Sequence, residues 1–233
     1  MLTYHVITLF PETIEPYVGS SILKRAQEKG SIAVKYYNPR DFAVGKDGKM
    51  KKGKSIDALS YAERRVDDRP YGGGPGMVIE ALPIIYAIEE AMKSIKSIKS
   101  KVKIVFFSPA GKQFTNDVAE KLKKYTDIIF VCGRYEGIDA RVKKAFPMID
   151  ISVGPYVLTG GELPAMIMID TITRRIKGVL GDHASVEENR IASPDVYTRP
   201  EVIEYKKKKY RAPKILLSGH HAKMNEWKKG RKK

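Results

Sequence analysis

The stretch YVLTGGELPAM (residues 156–166) joins two apolar runs through a pair of glycines. An acid, a leucine and a proline follow, and a second apolar run, AMIMID, begins at once. A plain tight turn needs one glycine. A phosphate loop adds a Lys and a Ser or Thr after its glycines, and this stretch has none of these there. Two adjacent glycines between segments that both read as buried supply more backbone freedom than a plain turn needs.

Working outward, MIDISV before the stretch reads as a strand, and ELPAMIMIDTITRRI after it reads as a helix. Proline in the first turn suits that helix, because its missing N–H is not needed there. Further upstream, YHVITLF, SIAVKYY, KVKIVFF and DIIFVC read as strands. Between them lie helical segments: one around Ile22, Leu23 and Ala26 that stops at Gly30, VIEALPIIYAIEEAMKSI with a start or kink near Pro83, TNDVAEKLKKY capped by Thr115 or Asn116, and GIDARVKKAF. Strands alternating with helices imply an α/β domain with a mostly parallel sheet, spanning residues 1–178. Residues 45–57, GKDGKMKKGKSID, are rich in glycine and lysine and read as a mobile loop. Residues 179–198 read as a linker, and residues 199–233 as a small basic unit of two short helices, PEVIEYKKKKYRAP and HHAKMNEWKKGRKK.

The charge is concentrated in that last unit. The 233 residues carry 43 Lys and Arg against 27 Asp and Glu, a formal +16. Residues 199–233 hold 13 Lys and Arg against 3 Asp and Glu, a net +10, which leaves +6 for the rest. A basic tail of this kind suits a polyanion such as RNA, because each phosphate it neutralises releases counterions. Cys132 is the single cysteine. It excludes an intrachain disulfide and a multi-cysteine metal site, and it reads as a small core residue. The start, MLTYHVITLF, lacks the basic and apolar regions of a signal peptide, and no window has the length of a membrane span. The expectation is a soluble protein of a reducing compartment, the cytoplasm, with no membrane partner.

Three strands run into glycine loops: IVFFSPAGKQ, IFVCGRYEGID and ISVGPYVLTGGELP. In open α/β sheets ligands bind beyond the carboxyl ends of strands, so the three loops predict one shared pocket. A GxGxxG after the first strand and a GxxxxGK[ST] are both absent, which argues against dinucleotide and P-loop readings and against a nucleotide hydrolase. The residues DDRPYGGGPG have neither strand nor helix period and read as a loop with several unusual backbone angles.

Taken together, VDDRPYGGGPGM (66–77), SPAG (108–111), CGRYEGID (132–139), VGPYVLTGGELPAM (153–166) and YTRPEV (197–202) resemble the bacterial tRNA (guanine-N1)-methyltransferases, members of the trefoil-knot (SPOUT) class. The likeness runs from the first strand to LLSGHHA near Gly219. It implies a deep trefoil knot at the cofactor site, S-adenosylmethionine as methyl donor, tRNA as partner, and a homodimer whose active site is shared between subunits. By match, the cofactor cradle is Phe106, Phe107, Ser108, Pro109, Gly111, Gly133, Tyr135, Glu136, Val153, Gly154, Tyr156, Leu158, Gly160, Gly161 and Pro164. Core packing is the competing role for Phe106 and Phe107. The target-base pocket falls on Asp67, Tyr71, Pro75 and Gly76, and Ser185 matches a linker contact. Mg2+ dependence is a family feature, with Glu136 the matching residue, although the sequence shows no metal site.

The resemblance also assigns chemistry. Guanine N1 carries a proton, so transfer to N1 needs a base there and positive charge near O6. Arg174 matches the family Arg, while Arg175 reads as a surface charge. Here the chain departs from the pattern: after GVLG it has GDHASVEENR, which puts Asn189 where the family has Asp. A neutral amide cannot accept the proton as a carboxylate does. Glu188, one residue away, is the candidate base, with Glu187 and Asp182 as other carboxylates of the same linker and His183 as another group able to serve. His220 and His221 read as part of an RNA-facing or helix-start element. Two rival readings stand: an RNA-binding protein that has lost turnover, which Asn189 favours, and a related knotted methyltransferase with another target base, which the RPYGGGPGM loop opposes.

Overall fold

The computed structural model describes residues 1–45, 60, 63–95, 99–180 and 195–230. The Lys-rich stretch 45–57 therefore lies, except for Gly45, outside the described residues. Two units are distinguished, Met1–Val179 and Leu180–Lys233.

The larger unit begins with β1 (Leu2–Ile7), α1 (Glu15–Val18), α2 (Ser21–Glu28) and β2 (Ile32–Tyr37). The α2 helix ends at Lys29, and Gly30 follows with φ +67°, the left-handed conformation that glycine adopts without steric cost. Then come β3 (Asp67–Asp68), β4 (Val78–Ile79), α3 (Ala81–Lys93), β5 (Val102–Gln113), α4 (Asn116–Leu122), β6 (Asp127–Val131), α5 (Arg141–Ala145), β7 (Ile149–Ser152) and α6 (Glu162–Thr173). Thr115 caps α4 by accepting from the Val118 N–H, and Pro83 sits in the first turn of α3, where its lost donor is harmless. The segment read as an unpaired loop, DDRPYGGGPG, is the tip of a short hairpin: Asp67 and Asp68 pair antiparallel with Ile79 and Val78.

Five strands form a wholly parallel sheet in the order β2-β1-β6-β5-β7. Its central strands carry apolar side chains on both faces, as a sheet covered by helices on both sides requires. Tyr4, Val6, Ile128 and Phe130 pack against α2, α4 and α6, while Ile7, Ile129 and Val131 pack against α3 and α5. Tyr4 and Phe107 stack on opposite sides of Phe130, with centroids 5.9 and 5.6 Å away. Two polar groups cross this core with partners. Tyr4 Oη bonds Thr173 Oγ1 at 3.0 Å, and His5 bonds Tyr37 Oη and Asp127 through its two ring nitrogens.

The long strand β5 is interrupted by a bulge. Phe107 and Lys112 both lie opposite Ile151 of β7, so residues 108–111 are extra and bulge out of the ladder. The bulge closes at Gly111, where a Cβ would meet the backbone of Asp150 and Ile151 at 2.6 Å.

The smaller unit contains β8 (Val202–Tyr205), β9 (Lys208–Arg211), α7 (Lys214–Leu217) and α8 (His221–Gly230). This corrects the all-helical reading of the basic tail. Residues 202–211 form an antiparallel hairpin pairing Ile203 with Tyr210 and Tyr205 with Lys208. Helix propensity of the four lysines is outweighed by β-branched and aromatic residues at Val202, Ile203, Tyr205 and Tyr210. Lys206 and Lys207 form the turn with φ +49° and +61°, the mirror-image geometry that matches strand twist. The second segment is helical, as read. Tyr197 and Trp227 make an aromatic contact, with centroids 6.4 Å apart.

Two measurements check this packing. Gly111→Ala should lower unfolding free energy by about 1–3 kcal/mol through overpacking against β7, read from denaturant midpoints. The Cys132 thiol is pushed well above its ordinary pKa by burial, with the Glu162 carboxylate adding to the effect. It should resist a thiol reagent at mildly alkaline pH in the native protein and react once denaturant unfolds the chain.

Candidate functional site

The carboxyl ends of β5, β6 and β7, adjacent in the sheet, open into one cavity of about 530 Å3. Its walls are the β5 bulge, residues 133–138 after β6, and residues 152–161 after β7. The double glycine explains how the walls meet. Gly161 N–H donates to Gly133 O at 2.9 Å, and Arg134 bridges Gly160 antiparallel. A Cβ on Gly161 would lie 2.6 Å from Cys132 Cα, and one on Gly160 would lie 2.5 Å from Arg134 Nε. Neither glycine has a positive φ. The pair is required for room, not for unusual backbone angles.

Helix α6 starts directly at this contact. Glu162 is 3% exposed and accepts a 2.7 Å hydrogen bond from Thr8 Oγ1. Arg134 Nε lies 2.9 Å from Glu162 Oε2, an ion-pair contact without hydrogen-bond alignment. The Arg134 guanidinium also sits 4.7 Å from the centroid of the Phe10 ring. A buried carboxylate with a cation and a hydroxyl donor beside it is compensated, and it ties the end of β1 to the loops after β6 and β7. Along α6, Ala165, Met168, Ile169 and Ile172 face the core, which fixes the helix axis.

Of the cradle residues read from the sequence, Phe106, Phe107, Ser108, Pro109, Gly133, Tyr135, Glu136, Val153, Gly154, Tyr156, Leu158, Gly160, Gly161 and Pro164 line the cavity. Gly111 does not; its lack of a side chain serves the β7 contact. Both phenylalanines have two roles. Phe107 packs on Phe130 and Phe106 on the opposite core, and each also lines the cavity. Tyr135 adopts φ +57°, unusual for a side chain of its size, and is half-exposed. Sequence reasoning passed over Arg134, Lys143, Ser152 and Thr159, which also line the cavity. Lys143 Nζ lies 4.0 Å from the Phe106 ring centroid and pairs with Asp150 at 2.6 Å. Lys143 sits on α5, outside every motif, so only the fold could bring it here.

A second cavity of about 940 Å3 lies beside the glycine-rich hairpin tip, lined by Asp68, Arg69, Pro70, Tyr71, Leu82, Arg141 and neighbours. Tyr71 is fully exposed on it, whereas Asp67, Pro75 and Gly76 do not line it. Asp67 instead pairs with Arg65 at 3.3 Å. Gly72, Gly73, Gly74 and Gly76 all have positive φ, so this run does need glycine's freedom. At Gly76 the tip meets the first cavity: a Cβ there would lie 2.6 Å from Glu136 Oε1, and Glu136 N–H donates to Met77 O at 3.0 Å. Arg141 beside Asp139 holds that carboxyl below its ordinary range.

Arg174 caps α6 and is half-buried; neither cavity is lined by it. Arg175 corrects its reading as a surface charge. It is 5% exposed, donates to Thr171 O at 3.0 Å and lies 3.6 Å from Glu120. Ser185, Glu188 and Asn189, with Asp182, His183 and Glu187, lie outside the described residues. Among the described residues there is no cluster of His, Cys, Asp and Glu able to hold a metal, and no helix long and apolar enough to cross a membrane.

Comparison with known proteins agrees with this architecture. The family model tRNA (Guanine-1)-methyltransferase TrmD matches residues 2–233. The tRNA (guanine-N(1)-)-methyltransferase of Dictyoglomus turgidum is 41% identical over 233 residues, covering 98% of this chain and 84% of that protein. Its namesake from Clostridioides difficile is 41% identical over 98% of this chain and 91% of its own length. The crystal structure of tRNA (m1G37) methyltransferase from Aquifex aeolicus superposes with TM-score 0.74 at 34% identity, covering 97% of this chain and 87% of that one. A parallel sheet whose strand ends share one glycine-walled cavity, matched along nearly its full length by these proteins, makes this chain a member of the tRNA (guanine-N1)-methyltransferase family.

Proposed function

We propose that this chain transfers a methyl group from S-adenosylmethionine to N1 of the guanosine immediately 3′ of the anticodon in tRNA. The observation that carries the reading is the cavity at three strand ends, whose walls meet at glycines that leave no room for a Cβ, in a chain of this family. Such walls expose backbone N–H and C=O groups to a ligand, which suits a nucleoside read by main chain. Phe106–Pro109, Gly133, Tyr135, Glu136, Val153, Gly154, Tyr156, Leu158, Gly160, Gly161 and Pro164 would hold the donor. When bound, S-adenosylmethionine supplies a methyl on a sulfonium that is its own leaving group. The contacts of Gly160 and Gly161 with Gly133 and Arg134 support the deep trefoil knot of this reading.

The residues of the chain supply positioning, proton removal and charge. Glu188 takes the N1 proton, and the N1 lone pair is then free to accept the methyl. Arg174 faces the negative charge that grows on O6 as the proton leaves. Asn189 stands at the family Asp position and cannot do the work of a base. Ser185 belongs with this linker, and Asp67, Tyr71, Pro75 and Gly76 with the target base. The active form is a homodimer in which the linker of one subunit completes the cavity of the other. Exposed Val157, Leu163 and Ile167, apolar residues around the start of α6, support such an interface. The basic tail contacts tRNA, and the setting is the cytoplasm. Mg2+ dependence is a feature of the family, and Glu136, which lines the cavity, is the residue that would take part in it.

The deciding measurement is methyl transfer from labelled S-adenosylmethionine to unmodified tRNA, with nucleoside analysis of the product. Wild type should form 1-methylguanosine and Glu188→Gln should abolish it. Turnover by Asn189→Asp alone, with wild type inert but still binding both ligands, would instead favour an RNA-binding protein that has lost catalysis. Gly161→Ala should weaken cofactor binding about tenfold or more, since overpacking of this kind costs about 1–3 kcal/mol, while tRNA binding persists.

A further inference from the structure

The hairpin of the C-terminal unit has two unlike faces. Side chains alternate along each strand, so Ile203, Tyr205, Lys208 and Tyr210 share one face, and Val202, Glu204, Lys209 and Arg211 the other. On the first face Ile203, Tyr205 and Tyr210 are 56%, 61% and 50% exposed. Tyr205 lies opposite Lys208 and is therefore the diagonal neighbour of Tyr210, about 7–8 Å away in such pairs. Lys206 Nζ lies 5.3 Å from the Tyr205 ring centroid, and Lys206–Lys209 are all exposed. The face thus combines two solvent-facing phenol rings, an aliphatic side chain and the Lys208 ammonium, with Lys206 and Lys207 at the turn beside it.

Lysines alone would grip any polyanion. The added aromatic area has a narrower use, because each nucleobase presents a π-face that an exposed tyrosine can stack on. In a duplex those faces are already covered by neighbouring bases, and in loops they are free. We propose that this face is a stacking platform for unpaired nucleotides of RNA. Tyr205 and Tyr210 take the bases, and Lys206, Lys207 and Lys208 take the flanking phosphates. The proposal rests on the tRNA-methylating reading for its choice of RNA, and it assigns the hairpin a loop or junction of the substrate where the charge argument gave only a polyanion.

The test uses the full chain and fluorescence anisotropy, with a labelled single-stranded oligoribonucleotide and an RNA duplex of equal length. Tyr205→Ala with Tyr210→Ala should weaken single-strand binding about tenfold or more, as loss of stacked bases does, and leave duplex binding unchanged. Tyr205→Phe with Tyr210→Phe should restore it, which separates stacking from misfolding. Lys206→Gln with Lys208→Gln should weaken both ligands and flatten the salt dependence by about 0.7 per lysine on the single strand. Equal loss on single strand and duplex, or no loss from the alanine pair, overturns the platform. So does an alanine pair that changes the sedimentation of the protein and not its RNA affinity, because the face then belongs to a second copy. Methyl transfer is measured on the same preparations. Turnover by wild type with an inert hairpin removes the platform alone; stacking without any turnover removes the enzymatic reading alone.

Discussion

The rest of the site depends on one close approach, that of Gly160 and Gly161 to Cys132, Gly133 and Arg134. Backbone passes backbone with no space for a β-carbon, and a 2.9 Å hydrogen bond from Gly161 to Gly133 closes the contact. This sets where α6 begins, since Glu162 follows immediately. It also sets where Arg134 can go, and so where the loop after β6 stands. The buried Glu162 carboxylate answers that placement with an ion pair to Arg134 and a hydrogen bond from Thr8, just past the end of β1. Cavity walls from two different strands are therefore held by one junction.

Much of this was legible in the sequence, for identifiable reasons. Strands such as DIIFV are apolar on both faces because helices cover both sides, and that signal survives without any partner information. Glycines after three strands gave the shared cavity. The double glycine itself was read as a need for backbone freedom, and the structure shows a need for room. Both demands select the same residue, and only coordinates separate them. The hairpin in the basic tail was misread because lysine runs favour helix and hide the alternation of Ile203, Tyr205 and Tyr210. Arg175 was misjudged because a charge next to another charge reads as surface, whereas Glu120 and the Thr171 carbonyl compensate it inside. Lys143 could not be found from motifs, as it reaches the cavity only through the packing of α5.

The departure at Asn189 places the chemical question in residues 179–198, outside the sequence motifs that wall the cavity. The cradle is made by packed strand ends, where substitutions are constrained by backbone contacts. In the proposed mechanism the proton acceptor belongs to residues 179–198, where a neighbouring carboxylate in the sequence can stand in for a lost one.

Residues 136–141 form a partition. Glu136, Gly137, Ile138 and Ala140 line the smaller cavity, and Asp139, Ala140 and Arg141 line the larger one. On one side the partition bears against the glycine-rich tip, where Gly76 leaves Glu136 no slack. A shift of this shared layer that widens one space narrows the other, and by linkage any change of affinity that such a shift brings is the same in both directions.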